Sequence, residues 1–226
     1  MKKNLVYLWA LIFSMGFFYS CDDDGDAKEN LLGTWNLKQN NAMIINWESS
    51  ANISIGGVTM PATAVAALMA EYGSVELQDE LRSITFKNDG NVEVDYKGES
   101  GVFTKDLFGK YKALSKSDLL YFPDVDKILK GIYGIDNATI NEMKALSKDG
   151  IPVKCSLTGS SLNEAYFYLD TKTIKAMKVL FVALEASITG NSTEDLIIKA
   201  VFNALPVALD NTEKIEIGLC FYKVNG

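Results

Sequence analysis

The stretch from Leu81 to Phe122 constrains the fold more than any other part of the chain. In Leu81–Phe86, Ile84 and Phe86 alternate with polar residues, and in Val92–Lys97 so do Val92, Val94 and Tyr96. A period of two is what a strand with one buried face requires. Between these runs, Asn88-Asp89-Gly90-Asn91 supplies residues that accept the backbone of a tight hairpin turn. Gly101–Thr104, Gly109–Leu114 and Asp118–Phe122 continue as short strands, with turns expected at Lys105–Phe108 and Ser115–Ser117. Short strands joined by tight turns predict an up-and-down antiparallel meander.

The flanking segments add strands and helices. Leu31–Leu37 reads as a first strand and Ile215–Val224 as a last one, while Met43–Trp47 and Asn52–Met60 are apolar runs that fit strand or helix. Pro152–Leu157 and Asn163–Leu169 form another expected hairpin around Gly159-Ser160-Ser161. A helix is expected over Pro61–Tyr72, ended by Gly73. Two more are expected over Asp124–Tyr133 and Thr139–Ser147, with Asp124 and Thr139 as N-caps and Gly134 and Gly150 as stops.

Thr171–Ile188 and Thr193–Leu209 read as a C-terminal pair of strongly apolar helices before the last strand. Lys172, Lys175, Lys178 and Glu185 interrupt the first, and Lys199 and Pro206 the second, so neither is a membrane span. The fold class is therefore mainly β with α insertions, at about 61–72, 124–148 and 171–209, in one domain over residues 31–226.

Residues 1–20 read as a signal peptide. Lys2 and Lys3 give a positive start, Leu5–Phe18 is apolar and too short to span a bilayer comfortably, and Ser20 is the small residue before a cut. Cys21 follows at once, and Asp22-Asp23-Asp24-Gly25-Asp26 opens an acidic tether over residues 21–30. A calcium loop starting at Asp22 would need Gly at position 27 and Glu at position 33, but Ala27 and Gly33 stand there. Ser20-Cys21 resembles the lipobox of bacterial lipoproteins, and the acidic run resembles the surface-export signal of the Bacteroidota. That resemblance implies lipidation of Cys21, attachment to the outer membrane and exposure at the cell surface.

Gly33-Thr34-Trp35, placed just after such a tether, is similar to the Gly-x-Trp opening of the lipocalin (calycin) superfamily. With Phe86-Lys87-Asn88-Asp89-Gly90 and a helix pair before the last strand, the layout resembles lipocalin-like lipoproteins of Bacteroidota of unknown function. The resemblance implies an antiparallel lipocalin-like β-barrel.

Composition excludes several functions. There is no histidine, which removes the commonest general base and transition-metal ligand. The net charge of −7 becomes −9 once residues 1–20, with Lys2 and Lys3, are removed. A nucleic-acid partner is therefore not expected. Glu93 with Asp95 fits the polar face of a strand, and Asp124 with Asp126 fits the first turn of a helix. No catalytic residue, metal ligand or cofactor is expected, and the protein is read as a non-enzyme. Cys155 shares a face with Ile151, Val153 and Leu157 and is expected in the core. Cys220 points away from Leu219 and Phe221 and is expected half-exposed, and whether the two pair is left open.

The aromatic residues of the strands remain: Trp35, Phe86, Tyr96, Phe103, Tyr111, Tyr121, Phe167 and Phe221. They are expected to line the barrel around a small hydrophobic or amphipathic ligand, with the apolar helices as a lid. The alternative is that they fill the barrel, leaving a structural module that meets a protein or glycan through its outer surface.

Overall fold

The computed structural model describes residues 29–224 apart from 51, 56, 99, 131–133, 160, 189, 191 and 192. The expected signal peptide, Cys21 and most of the tether lie outside the described residues.

Eight strands close an antiparallel barrel. β1 (Gly33–Leu37) pairs with β5 (Leu81–Phe86), and the wall continues through β6 (Asn91–Lys97), β7 (Phe103–Ser115), β8 (Asp118–Pro123), β9 (Ile151–Thr158) and β10 (Glu164–Leu169) to β11 (Thr212–Lys223), which pairs back onto β1. The closing register sets Trp35 opposite Lys223 and Leu37 opposite Phe221. Closure leaves no free edge along this half of the wall. The expected β-rich class and barrel are what the chain adopts, with 43% strand and 38% helix among the described residues.

β11 is longer than β1 and uses the surplus. Beyond Phe221 its edge is taken by β2 (Met43–Ser49), from Leu219 opposite Met43 to Thr212 opposite Ser49. β1 and β2 thus run along β11 as one interrupted strand. At the interruption the Lys38 amide donates to the Cys220 carbonyl (2.9 Å) and the Cys220 amide to the Ala42 carbonyl (2.8 Å). Gln39–Asn41 are extruded as a blister, with Asn41 in the left-handed region (φ +52°).

β5 does not follow along β2. Instead the chain makes a small hairpin, β3 (Asn52–Ile55) and β4 (Val58–Pro61), and then helix α1 (Ala62–Glu80), which lies against β2 and runs straight into β5. Ala62, Val65, Ala66 and Leu77 are the apolar residues that α1 buries. Gly73 was expected to stop this helix. It sits on the buried side of α1, and the helix continues for seven more residues, to Glu80.

The other helices lie at the end of the barrel where β8 and β10 finish and β9 and β11 begin. They are α2 (Val125–Lys130), α3 (Asn137–Ser147), α4 (Thr171–Ala176), α5 (Lys178–Ser187) and α6 (Thr193–Asp210). Asp124 accepts from the Lys127 amide, as its expected capping role requires (3.1 Å). Thr139 is not a cap: Asp136 holds that place and accepts from the Thr139 amide at 2.7 Å.

The expected helix over Thr171–Ile188 is broken at Met177 (φ −88°, ψ 10°) into α4 and α5. Thr171 Oγ1 exchanges two hydrogen bonds with the Ile215 backbone, and Lys175 Nζ donates to the Thr212 carbonyl at 2.8 Å. These bonds pin α4 to β11, while α5 turns to pack on α6. Pro206 lies inside α6.

The strands expected at Gly101–Thr104 and Gly109–Leu114 are one strand, β7, and Lys105–Phe108 is no turn. Val92 faces Gly109 but Glu93 faces Leu107, so Phe108 is an extra residue, a bulge. At Gly109 (φ +157°) a Cβ would collide with the Phe122 carbonyl of β8, so only glycine fits.

Candidate functional site: a ring-packed barrel and its outer face

Cross-strand register decides which side chains face inward. Trp35, Ile84 and Val94 share the inner face, as do Phe86 and Val92 with Gly33. Tyr111 faces Tyr121, Tyr121 faces Ile151, Cys155 faces Phe167, and Phe167 faces Leu219. Seven of the eight aromatics expected to line the barrel therefore point into it: Trp35, Phe86, Tyr96, Tyr111, Tyr121, Phe167 and Phe221.

Phe103 does not. It pairs with Lys97 on the outer face, and the Arg82 guanidinium lies 4.0 Å above its ring. The bulge at Phe108 is the cause, because one extra residue reverses the alternation between Phe103 and Tyr111.

The inward rings touch one another. Phe167 is the hub. Its centroid lies 5.4 Å from Phe86, 5.8 Å from Phe221 and 6.0 Å from Trp35, the last two edge-to-face. Phe86 meets Tyr111 edge-to-face at 4.9 Å, and nearer the helices Tyr96 meets Phe108 in the same way at 5.0 Å. These are the spacings at which ring quadrupoles attract. Trp35, Phe86, Tyr111, Tyr121, Phe167 and Phe221 are all buried.

The polar atoms among them are turned to the wall. Trp35 Nε1 donates to the Leu31 carbonyl (2.8 Å), Tyr121 Oη to Phe108 (2.8 Å) and Tyr111 Oη to Lys87 (3.1 Å). Burial pushes both tyrosine pKa values up, helped by Asp89 at Tyr111 and Asp124 at Tyr121. These hydroxyls are neutral donors and poor acid–base groups.

Buried groups lie at both ends. At the hairpin end, Leu31 is buried beneath Trp35, and Lys223 lies over the indole (5.2 Å) while donating to the Asn30 carbonyl (2.9 Å). At the other end, Trp47 Nε1 donates to Thr212 Oγ1 (2.8 Å), which donates to the Ala208 carbonyl (2.9 Å). Ile174, Leu180, Leu205 and Leu209 from α4–α6 share one continuous core with Trp47 and Ile215, and Phe181 stacks on Phe202 to join α5 to α6. The helices form a plug continuous with the barrel interior. The sequence reading had missed Phe108 and Trp47, the first inside an expected turn and the second in an ambiguous run.

The two cysteines among the described residues, Cys155 and Cys220, sit on opposite faces of the sheet, both unpaired. Cys155 is in the core, and burial, with Asp118 adding, pushes its thiol up to about 12, so it stays protonated. Cys220 faces outward as expected but is buried, opposite Tyr166. Glu93 lies on the outer face paired with Lys87, and Asp95 beside it is buried against Arg82 (3.6 Å). Asp126 pairs with Lys144, which ties α2 to α3. Among the described residues, no group of three or more His, Cys, Asp or Glu is placed to hold a metal ion, and no helix is long and apolar enough to cross a membrane.

Outside the barrel, the blister and α1 bound a groove of about 410 Å³. Gln39, Asn40 and Asn41 form one bank, Glu71, Ser74 and Gln78 the other, and Met43, Ala67, Ala70 and Val75 add apolar surface. Gln78 Nε2 donates to the Gln39 carbonyl, and Ser74 Oγ accepts from the Met43 amide (3.0 Å). The chain matches no family model, and no curated protein or solved structure matches it either.

Proposed function

We propose that the protein is a lipid-anchored surface module of the lipocalin-like lipoprotein kind, whose barrel is a filled scaffold and whose recognition takes place on its outside. The observation that carries this is the ring cluster centred on Phe167, in which Trp35, Phe86, Tyr111 and Phe221 each spend a face or edge on another ring. A site for a drug-sized ligand needs roughly 300 Å³ or more of concave space. An eight-stranded barrel is only just wide enough for its own side chains. The rings that could have lined such a space pack against each other instead, and this favours the second of the two expectations raised by the sequence.

A non-catalytic role is supported by the chemistry of the residues. The chain has no histidine, and the buried tyrosines and Cys155 are held protonated by burial. The negative charge of the chain disfavours a nucleic-acid partner. Attachment to the outer membrane, facing outward, rests on Ser20-Cys21 and the aspartates that follow. Acyl chains contribute about 0.8 kcal/mol per buried CH₂, so more than one chain anchors firmly.

Two experiments test the reading. Adding fatty acids or sterols to the purified protein should leave the melting temperature unchanged, and organic extraction should recover no lipid. A rise of several degrees with recovered lipid would return the barrel to the role of a ligand carrier. Separately, Cys21→Ala should release the protein from the membrane or leave its signal peptide uncut. Membrane retention of a mature-sized product would refute the anchor.

A further inference from the structure

The blister between β1 and β2 is chemically uniform. The Lys38 amide and the Ala42 carbonyl both bond the backbone of Cys220, so the residues between them have no place in the ladder. Those residues are Gln39, Asn40 and Asn41, each with a side-chain amide and each exposed. An interruption of this kind re-aims side chains out of a sheet. Here α1 holds it in place: Gln78 Nε2 donates to the Gln39 carbonyl, and Ser74 Oγ accepts from the Met43 amide at 3.0 Å. The amides therefore stand as a fixed bank along the groove of about 410 Å³. Among the described residues, the side chains of Asn40, Asn41 and Glu71 have no hydrogen-bond or ion-pair partner.

The lining restricts what can enter. None of the lining residues is aromatic or basic, and of them only Glu71 is charged. No lysine or arginine occurs from Gln39 to Leu81. An anion would find no counter-charge there, a flat apolar molecule no ring to stack on, and a metal ion too few carboxylates. A neutral molecule rich in hydroxyls fits. An amide both donates and accepts, so it can bond two neighbouring hydroxyls at once, and a free carboxylate accepts strongly from a hydroxyl. Met43, Ala67, Ala70 and Val75 offer apolar surface to the C–H face of a sugar ring. The volume lies within the roughly 300–1,000 Å³ of small-molecule sites. We propose that this groove binds a neutral glycan, by a chain end or a short segment. The site gives a ligand class to the outer-surface recognition proposed above and rests on that reading.

The test is NMR of the purified, isotope-labelled protein, read at the side-chain amide signals of Asn40, Asn41 and Gln78. The probes are maltose, cellobiose, lactose and mannobiose, with the same disaccharides carrying a uronic acid as anionic counterparts. One or more of the neutral sugars should shift these signals saturably below ~10 mM and bind ~10-fold or more tightly than its anionic counterpart. Asn40→Ala with Asn41→Gly removes two amides, and glycine keeps the left-handed backbone of position 41 (φ +52°) without strain. This double variant should bind the sugar ~10-fold or more weakly at an unchanged melting temperature. No saturable shift with any neutral disaccharide, equal binding of the anionic forms, or full binding by the double variant would overturn the proposal. So would a neutral peptide of serine, threonine and glycine that moves these signals when no sugar does, because the occupant would then be a protein segment. Native mass measurement of the same preparation reports on the barrel independently: bound lipid there would overturn the filled-scaffold reading, whatever the groove does.

Discussion

Phe167 touches Trp35, Phe86 and Phe221. Removing it deletes a buried ring and leaves a void that the surrounding strands cannot close. Phe167→Ala should cost about 3–5 kcal/mol, measured by denaturant unfolding. Phe103→Ala, on the outer face under Arg82, should cost less than about 1 kcal/mol. This pair of residues also shows how far the sequence could be read. Both are strand aromatics in alternating patterns, and nothing within four residues of Phe103 reveals that a bulge at Phe108 has reversed its face.

At the same scale, Asp118 and Lys154 pair across β8 and β9, and Ser115 and Ser117 also donate to Asp118. Burial alone would raise the Asp118 pKa, but the bonds from Lys154, Ser117 and Ser115 outweigh it and hold the pKa low. A carboxylate whose folded pKa is depressed stabilises the fold above its unfolded value of about 3.9 and loses that contribution as pH falls through the folded value. Asp118→Asn should therefore lower the melting temperature near pH 7 and converge with the parent at more acidic pH. The pair is partly solvent-exposed, so the difference should stay at about 1 kcal/mol or less.

The elements differ in how plainly their ends are written. Hairpins such as β5–β6 and β9–β10 were legible because alternation and turn residues agree. Helix ends were less so. Gly73 reads as a stop by propensity, yet packing on the inner side of α1 overrides it. Met177 carries no breaking signal at all. The break there follows from bonds between α4 and β11, which lie over 40 residues apart in the chain and have no local signature. Asp170 is the local part of that arrangement, capping α4 by accepting from the Thr173 amide at 2.9 Å. Asp170→Ala should cost about 1 kcal/mol in thermal unfolding, and Asp170→Asn much less.

At the scale of the whole molecule, closure joins the two ends of the described chain. Trp35 pairs with Lys223, and no short stretch of sequence encodes that contact. Pairing of such sequence-distant strands predicts slow folding, on the scale of milliseconds to seconds, checked by stopped-flow refolding of tryptophan fluorescence. Both ends leave at the hairpin end, while α2–α6 gather at the other. The antiparallel meander and the apolar helical region before the last strand were readable from pattern, whereas closure was implied only by the lipocalin resemblance of the Gly33-Thr34-Trp35 opening. Whether the barrel held space was not, because a side chain that lines a cavity and one that fills it leave the same alternation in sequence.

That question is settled most directly by xenon. In a titration followed by NMR, the parent protein should show no saturable chemical-shift change at core methyl groups, and Phe167→Ala should show one. Saturable xenon binding inside the barrel of the parent protein would contradict the filled scaffold on which the account rests.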